Sequence, residues 1–194
     1  MTFDSLFQHH DPERSRFLDG LFSLFAREVV RCWATDEHAP YADLGRPTLR
    51  QVGGSRGSPL DFAFQEKRRK HAYGVLLYCD PVGDGPLRDA NQITALSATR
   101  TFAAFLDAAA QPSAYSLTVG GMDYPLIGSI LIWSSLESKK TRAMIRKTYA
   151  FHDILSVEDM IRDLIEWKNR DYQMLLDRRT AWCYDFFRGL RQMK

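Results

Sequence analysis

The chain has 194 residues, of which 45% are hydrophobic, 26% charged and 12% aromatic; this composition is typical of a globular protein and excludes wholesale disorder. The 26 Lys and Arg residues exceed the 24 Asp and Glu residues by two, so any basic binding surface has to be local. Three cysteines lie far apart in apolar segments, without the spacing of a disulfide scaffold or a zinc site. We expect free thiols in a cytoplasmic protein, since the sequence also shows no signal-peptide pattern and no apolar run of membrane-spanning length.

The length predicts a single domain over residues 1–194. Within it we expect an α/β core at 11–150 and a C-terminal helical extension at 151–194. A first helix is predicted from Pro12 to about Trp33, capped by Asp11. Placed at about 100° per residue, its large apolar side chains share one arc, and Glu28 falls inside that arc. A carboxylate there needs a partner, and an ion pair with an arginine, a local hydrogen bond and a functional role stay open.

Residues 35–59 are rich in Gly and Pro, and only Thr48–Val52 has strand character, which predicts a short edge strand between loops. Arg46 belongs to these loops, where it either helps to bind an anion or is simply solvated. Two central strands follow. In the first, Asp61 alternates with large apolar residues, and the second, at residues 73–80, is apolar without a break, as expected of a strand covered on both faces.

A helix is predicted at about Arg88–Ala109, with Gln92 on its sheet-facing arc. Strands are predicted at Tyr115–Val119 and Ile127–Trp133, and a basic turn follows at residues 138–142. The last helical region starts at Ser156 and is expected to break near residues 169–171, because one helix over the whole stretch would span about 50 Å. The final helix carries four aromatic residues, which either belong to the core or form a docking surface for a partner or a second copy: Trp182, Tyr184, Phe186 and Phe187.

This order of elements, with Pro59-Leu60-Asp61 leading a strand, resembles the restriction-endonuclease-like, or PD-(D/E)xK, nuclease superfamily over roughly residues 12–135. The resemblance implies an α/β (α+β) fold with a mixed central sheet of about five strands flanked by helices. It also implies that Asp61 lies beside a Glu-x-Lys or Asp-x-Lys on the next strand, where acids bind divalent metal and the lysine stabilises phosphate charge. Glu28 and Gln92 stand where some members have an accessory acid and a glutamine.

The sequence departs from this pattern on the second strand, where Leu76 and Tyr78 occupy one register and Leu77 and Cys79 the other. We therefore expect a degenerate active site. A metal site for Mg or Mn made from Glu28, Asp61 and Asp80 is conceivable, but it would lack the lysine. Alternatively, Asp61 is structural and bonds loop amides or pairs with Arg46 or Arg56.

Three hypotheses for function follow. The first is a catalytically inactive nuclease-fold module that binds nucleic acid or protein, and the second is a metal-dependent DNA endonuclease with relocated ligands. The third is an accessory or immunity-type subunit of a bacterial defence system, acting through the final aromatic helix on a protein partner or a second copy. Under the first hypothesis, six basic residues are expected to contact phosphate: Arg46, Lys67, Arg68, Arg69, Lys139 and Lys140. The alternative is that these residues only keep the turns soluble.

Overall fold

A computed structural model of the chain describes residues 3–7, 10–54 and 56–193. Its helices are α1 (Pro12–Thr35), α2 (Ala90–Leu96), α3 (Arg100–Ala110), α4 (Lys139–Thr148), α5 (Val157–Glu166) and α6 (Arg170–Gln192). Its strands are β1 (Tyr41–Gly45), β2 (Thr48–Gln51), β3 (Gly57–Pro59), β4 (Phe62–Glu66), β5 (Ala72–Leu77), β6 (Tyr115–Val119), β7 (Met122–Trp133) and β8 (Asp153–Ser156). Within the described residues these eight strands form one mixed sheet flanked by helices, which confirms the predicted α/β class.

The sheet is built around β7, a strand of 12 residues that has different neighbours along its length. Its first part pairs antiparallel with β6, and its second part pairs parallel with β5 on one side and β8 on the other. The strands β1, β4 and β5 pair antiparallel in that order, and α2 and α3 connect β5 to β6, which continues into β7. The complete order is β1-β4-β5-β7-β6-β2-β3, with β8 beside β7.

Helices cover both faces of the sheet, which explains the unbroken apolar runs of the central strands. Along β7, Ile130 and Ile132 pack with α1 and α5, whereas Leu131 and Trp133 pack with α2, α3 and α4 on the opposite face. Successive side chains of a strand point to opposite faces, so a strand with a core on each side needs apolar residues at every position.

The strand count is higher than the five expected, because β1, β3 and β8 are short and carry weak local signals. The Gly57–Pro59 strand contains a glycine and a proline, and the Asp153–Ser156 strand lies in the region predicted to be a helical extension. The prediction of an edge position for β2 is wrong, since β3 and β6 pair with it on either side. Pairing with a neighbour stabilises such segments, and local propensity does not reveal it.

The helix predicted at Arg88–Ala109 is two helices, α2 and α3, separated at Ser97–Thr99. The Ser97 hydroxyl donates to the Thr94 carbonyl at 2.6 Å, and Thr99 caps α3 by accepting from the Phe102 N–H. Both side chains compete with helical backbone bonds, which breaks the helix. The break predicted near residues 169–171 is confirmed, because α6 begins with Asn169 as its cap.

The chain turns sharply at Leu60–Asp61, immediately before β4. Leu60 packs with α2–α4 although Phe62 and Phe64 pack with α1, so the predicted alternation does not extend back to Leu60. Gly74 of β5 makes room for this turn, since a Cβ there would lie 2.9 Å from Cδ1 of Leu60. Asp61 is thereby placed at the end of the sheet where β5 finishes.

Candidate functional site

Asp61, on which the nuclease resemblance depends, is held by α1 and by the end of β5. Its Oδ2 accepts a hydrogen bond of 2.9 Å from the Leu77 backbone N–H, and its Oδ1 lies 2.7 Å from Nη2 of Arg27. The Asp61 side chain is 13% exposed and that of Arg27 is 50% exposed. Both carboxylate oxygens therefore have a partner, and the negative charge is offset by a cation from the neighbouring helix.

The partner of Asp61 is thus Arg27, and not the loop residues Arg46 or Arg56 that the sequence suggested. No local spacing points to Arg27, because α1 and β4 meet only in the folded chain. The Leu77 N–H bonds Asp61 as expected of a structural acid, but this amide belongs to β5 and not to a loop.

In the nuclease pattern, the acid and the lysine would occupy one of two sets of alternating positions along β5 and just after it. These two sets lie on opposite faces of the sheet. Leu77 and Cys79 pack with α1, whereas Leu76 and Tyr78 pack with the helices of the opposite face. Asp61 bonds to Arg27 of α1, so the register of Leu77 and Cys79 faces the same helix. Burial, with the charges of Asp19 and Asp80, raises the pKa of Cys79 to about 12. These two positions supply neither a carboxylate for a metal nor a cation for phosphate.

Asp80 lies in the loop between β5 and α2 (residues 78–89) and fixes its first turn. Its Oδ1 accepts from the Gly83 N–H at 2.6 Å, and its carbonyl accepts from the N–H groups of Asp84 and Gly85. Burial raises the pKa of Asp19 on α1, and the charge of Asp80 adds to this effect. Among the described residues, Oδ1 of Asp19 is buried without a hydrogen-bond partner.

Gln92 ties the same loop to α2. Its Nε2 donates to the Asp84 and Pro86 carbonyls at 2.9 and 3.2 Å, and its Oε1 accepts from the Arg88 N–H at 2.7 Å. The indole of Trp133, at the end of β7, donates to the Gly85 carbonyl at 2.9 Å. Gln92, which resembles a glutamine of some nucleases, therefore binds backbone groups of the β5–α2 loop. It fixes this loop at the end of the sheet.

Glu28 is paired with an arginine, one of the alternatives predicted from its position on the apolar arc of α1. Nε of Arg179 on α6 lies 2.9 Å from Oε2 of Glu28, and Nη2 of Arg179 bonds Oε1, so the contact is bidentate. The Arg179 guanidinium also lies 4.8 Å from the ring centroid of Trp182. Glu28 thus joins α1 to α6.

The structure does not bring Glu28, Asp61 and Asp80 together as a metal site. Each of these carboxylates has its own partner: Arg179, Arg27 and the Gly83 N–H, respectively. Over the described ranges of the chain, no group of three or more His, Cys, Asp and Glu side chains is arranged so that it could hold a metal ion.

The basic residues predicted to contact phosphate are divided between the two ends of the sheet. Lys139 and Lys140 lie in the first turn of α4, just after β7, and Arg46 follows β1 toward the same end. Arg68 and Arg69 lie in the β4–β5 hairpin turn at the other end and are exposed. Lys67, in the same turn, donates through Nζ to the Asp36 carbonyl and is already engaged.

Helix α4 runs back along the sheet, because β8 runs parallel to β7 and starts beside Ile130. The His152 ring, just before β8, stacks on Tyr73 of β5 with centroids 4.1 Å apart. Partial burial lowers the pKa of His152; the carboxylates of Asp153 and Glu66 oppose this effect, and the neighbouring Arg146 and His71 add to it. Arg146 of α4 and His71 at the end of the hairpin turn thus both act on His152.

We define the basic edge as five exposed residues of the hairpin turn and the last turn of α4: Arg68, Arg69, Lys70, Arg146 and Lys147. Helix α4 is not among the elements predicted from the sequence, which indicates only a basic turn at residues 138–142. The buried pair Thr141 and Ile145, four residues apart among basic neighbours, was the available sign of a helix.

No protein family, curated protein or solved structure gives a significant match to this chain. Across the described residues, every helix is too short or too polar to cross a lipid bilayer.

Proposed function

We propose that the protein is a non-catalytic binding module on a nuclease-like scaffold, which binds nucleic acid through the phosphates that meet its basic edge. The observation that carries this proposal is the state of Asp61. It is paired with Arg27 and bonded to the Leu77 N–H, and the two positions of this region that pack on the α1 side are Leu77 and Cys79. The groups that would bind a metal and stabilise a phosphorane in a nuclease are thus replaced by an ion pair, an apolar side chain and a neutral thiol.

The basic edge supports the binding part of the proposal. The whole chain has a formal net charge of only +2, whereas the hairpin turn and the last turn of α4 together carry five exposed cations. Arginine presents a planar set of N–H donors that matches phosphate oxygens. A surface of this kind follows a nucleic-acid backbone without reading its sequence, and its affinity depends strongly on salt.

The test is a fluorescence-anisotropy titration of a labelled DNA duplex and of its single strand, at several salt concentrations. The double variant Arg68→Gln/Arg69→Gln is compared with Lys139→Gln/Lys140→Gln, which removes the same charge from the opposite end of the sheet. We expect the first variant to weaken binding at least tenfold and to lower the slope of log K against log salt by about 0.9 for each lost duplex phosphate contact. Equal binding by the two variants, or no binding by the wild type at low salt, would refute the proposal.

In this proposal the protein works in a reducing, cytoplasmic compartment. The three cysteines support this, because Cys32, Cys79 and Cys183 are all unpaired. Unfolding of the purified protein at equal midpoints with and without a reductant is the expected result.

A further inference from the structure

A large apolar groove lies between the first half of α1 and the second half of α6. Its volume is 1060 Å³, and its walls include large side chains that remain in contact with solvent. Leu24 is 77% exposed, Phe186 61% and Trp182 56%. We define the α1–α6 groove by six of its residues: Phe17, Leu21, Leu24, Trp182, Phe186 and Phe187.

The groove exposes more apolar surface than a monomer usually does. Its six residues and the neighbouring Leu190 together expose several hundred Å² of side chain, whereas contiguous apolar patches on monomers rarely exceed a few hundred Å². A standard interface buries about 800 Å² on each partner. The groove is therefore of the size that one interface would cover.

The second half of α6 lacks support from the rest of the chain. From Thr180 to Gln192 every residue of α6 is exposed, and Tyr172 is the one buried residue within the described helix. A free helical segment of this length is marginal in water, since most helical stability in proteins comes from packing an apolar face. The exposed half thus requires a partner surface.

The sequence of α6 fits a second copy of itself. Trp182, Phe186 and Leu190 follow one another at spacings of four residues in the exposed half, which gives one apolar stripe that could pack against another helix. Arg178 and Asp185 are seven residues apart and lie on the same flank of this stripe. Neither forms an ion pair within the described part of the chain.

Charge complementarity then selects an antiparallel pair. In two antiparallel helices related by twofold symmetry, equivalent flanks face each other. Arg178 of one copy consequently meets Asp185 of the other, and symmetry repeats the contact. In a parallel pair these two residues would lie at different heights and would not meet.

We propose that the α1–α6 groove is the interface of a homodimer in which the α6 helices of two copies pack antiparallel, with reciprocal Arg178–Asp185 ion pairs. Each copy inserts Trp182, Phe186 and Phe187 into the groove of the other. The interface uses no residue of the basic edge, so dimer formation and nucleic-acid binding succeed or fail separately.

The test is sedimentation velocity of the full chain over a range of concentrations, with a chain mass of 22.3 kDa. We expect a wild-type dimer, and at least a tenfold weaker dimer for R178D, which places like charges opposite each other. The charge-swapped variant R178D/D185R should recover wild-type association. Because these positions are exposed, circular dichroism should show that all three proteins are folded alike.

Two further outcomes bear on the proposal. Phe186→Asp is expected to give a monomer that still binds DNA at low salt. A wild-type protein that stays monomeric at every concentration would overturn the dimer and leave the groove to a different partner. A dimer that is lost in Phe186→Asp but unchanged in R178D would overturn the antiparallel arrangement.

Discussion

The guanidinium of Arg27 lies 2.7 Å from the carboxylate of Asp61 and ties α1 to the start of β4. The acid that resembles a metal ligand is therefore one half of a structural contact between a helix and the sheet. The Leu77 N–H, 2.9 Å from the other carboxylate oxygen, adds the end of β5 to this contact. Three elements meet at one side chain.

This contact predicts that Asp61→Ala destabilises the protein. The change leaves the Leu77 N–H and the Arg27 guanidinium without their acceptor, and we expect the free energy of unfolding to fall by about 1–3 kcal/mol. Asp61→Asn should cost less, because its amide oxygen still accepts from Leu77. Arg27→Met should cost less than about 1 kcal/mol, since Arg27 is half exposed. Urea unfolding of the three variants measures this order. A stabilising Asp61→Ala would indicate a functional acid instead, because active-site residues are often kept at a cost to stability.

Gln92 is predicted to be a stability determinant. Gln92→Ala removes two donors to the loop carbonyls and the acceptor for the Arg88 N–H, so it should lower the free energy of unfolding by about 1–2 kcal/mol. The neighbouring Asn91 is exposed, and Asn91→Ala is the matched control in the same helix turn. Equal unfolding midpoints for the two variants would show that the loop does not depend on Gln92.

The raised pKa of Asp19 predicts that the free energy of unfolding depends on pH. Because burial raises its pKa above the ordinary value of 3.8, the folded protein binds this proton more tightly than the unfolded chain does. The stabilisation is complete below the ordinary pKa and is lost as pH rises through the raised value. We expect Asp19→Asn, which resembles the neutral acid, to stabilise the protein at neutral pH. Its advantage should disappear as the pH falls toward 3.8. A gain that is independent of pH would contradict this account.

Cys79 should react slowly with alkylating reagents. With a pKa of about 12, its thiolate at pH 8 is roughly a thousandfold scarcer than that of an ordinary cysteine. Iodoacetamide labelling followed by peptide mass spectrometry should show Cys79 protected in the folded protein and reactive in urea. Rapid labelling of native Cys79 would indicate an activated thiol and a chemical role for this position.

The central strands and the fold class were predictable because burial on two faces produces unbroken apolar runs, as at residues 73–80. The strands β1, β3 and β8 were not predicted, since each is short and is stabilised by pairing with a neighbour. The break between α2 and α3 depends on hydroxyl groups at Ser97 and Thr99, which are common inside helices as well as at their ends.

The site was predictable only in part. The sequence indicated that Glu28 needs a partner such as an arginine, but Arg179 is 151 residues away and no local pattern identifies it. Likewise, the sequence showed that the strand after Asp61 lacks the acid and the lysine of the nuclease pattern. The pairing of Asp61 with Arg27, in contrast, follows from the packing of α1 on the sheet. Long-range contacts between charged side chains have no periodicity to reveal them.

The central claim is that this scaffold binds nucleic acid without cutting it, and a cleavage assay tests it most directly. Labelled single- and double-stranded DNA is incubated with the wild type and with Asp61→Ala in Mg²⁺ or Mn²⁺, at protein concentrations that give binding, and resolved on a denaturing gel. The account predicts intact strands with both proteins. Cleavage by the wild type that disappears in Asp61→Ala would contradict it.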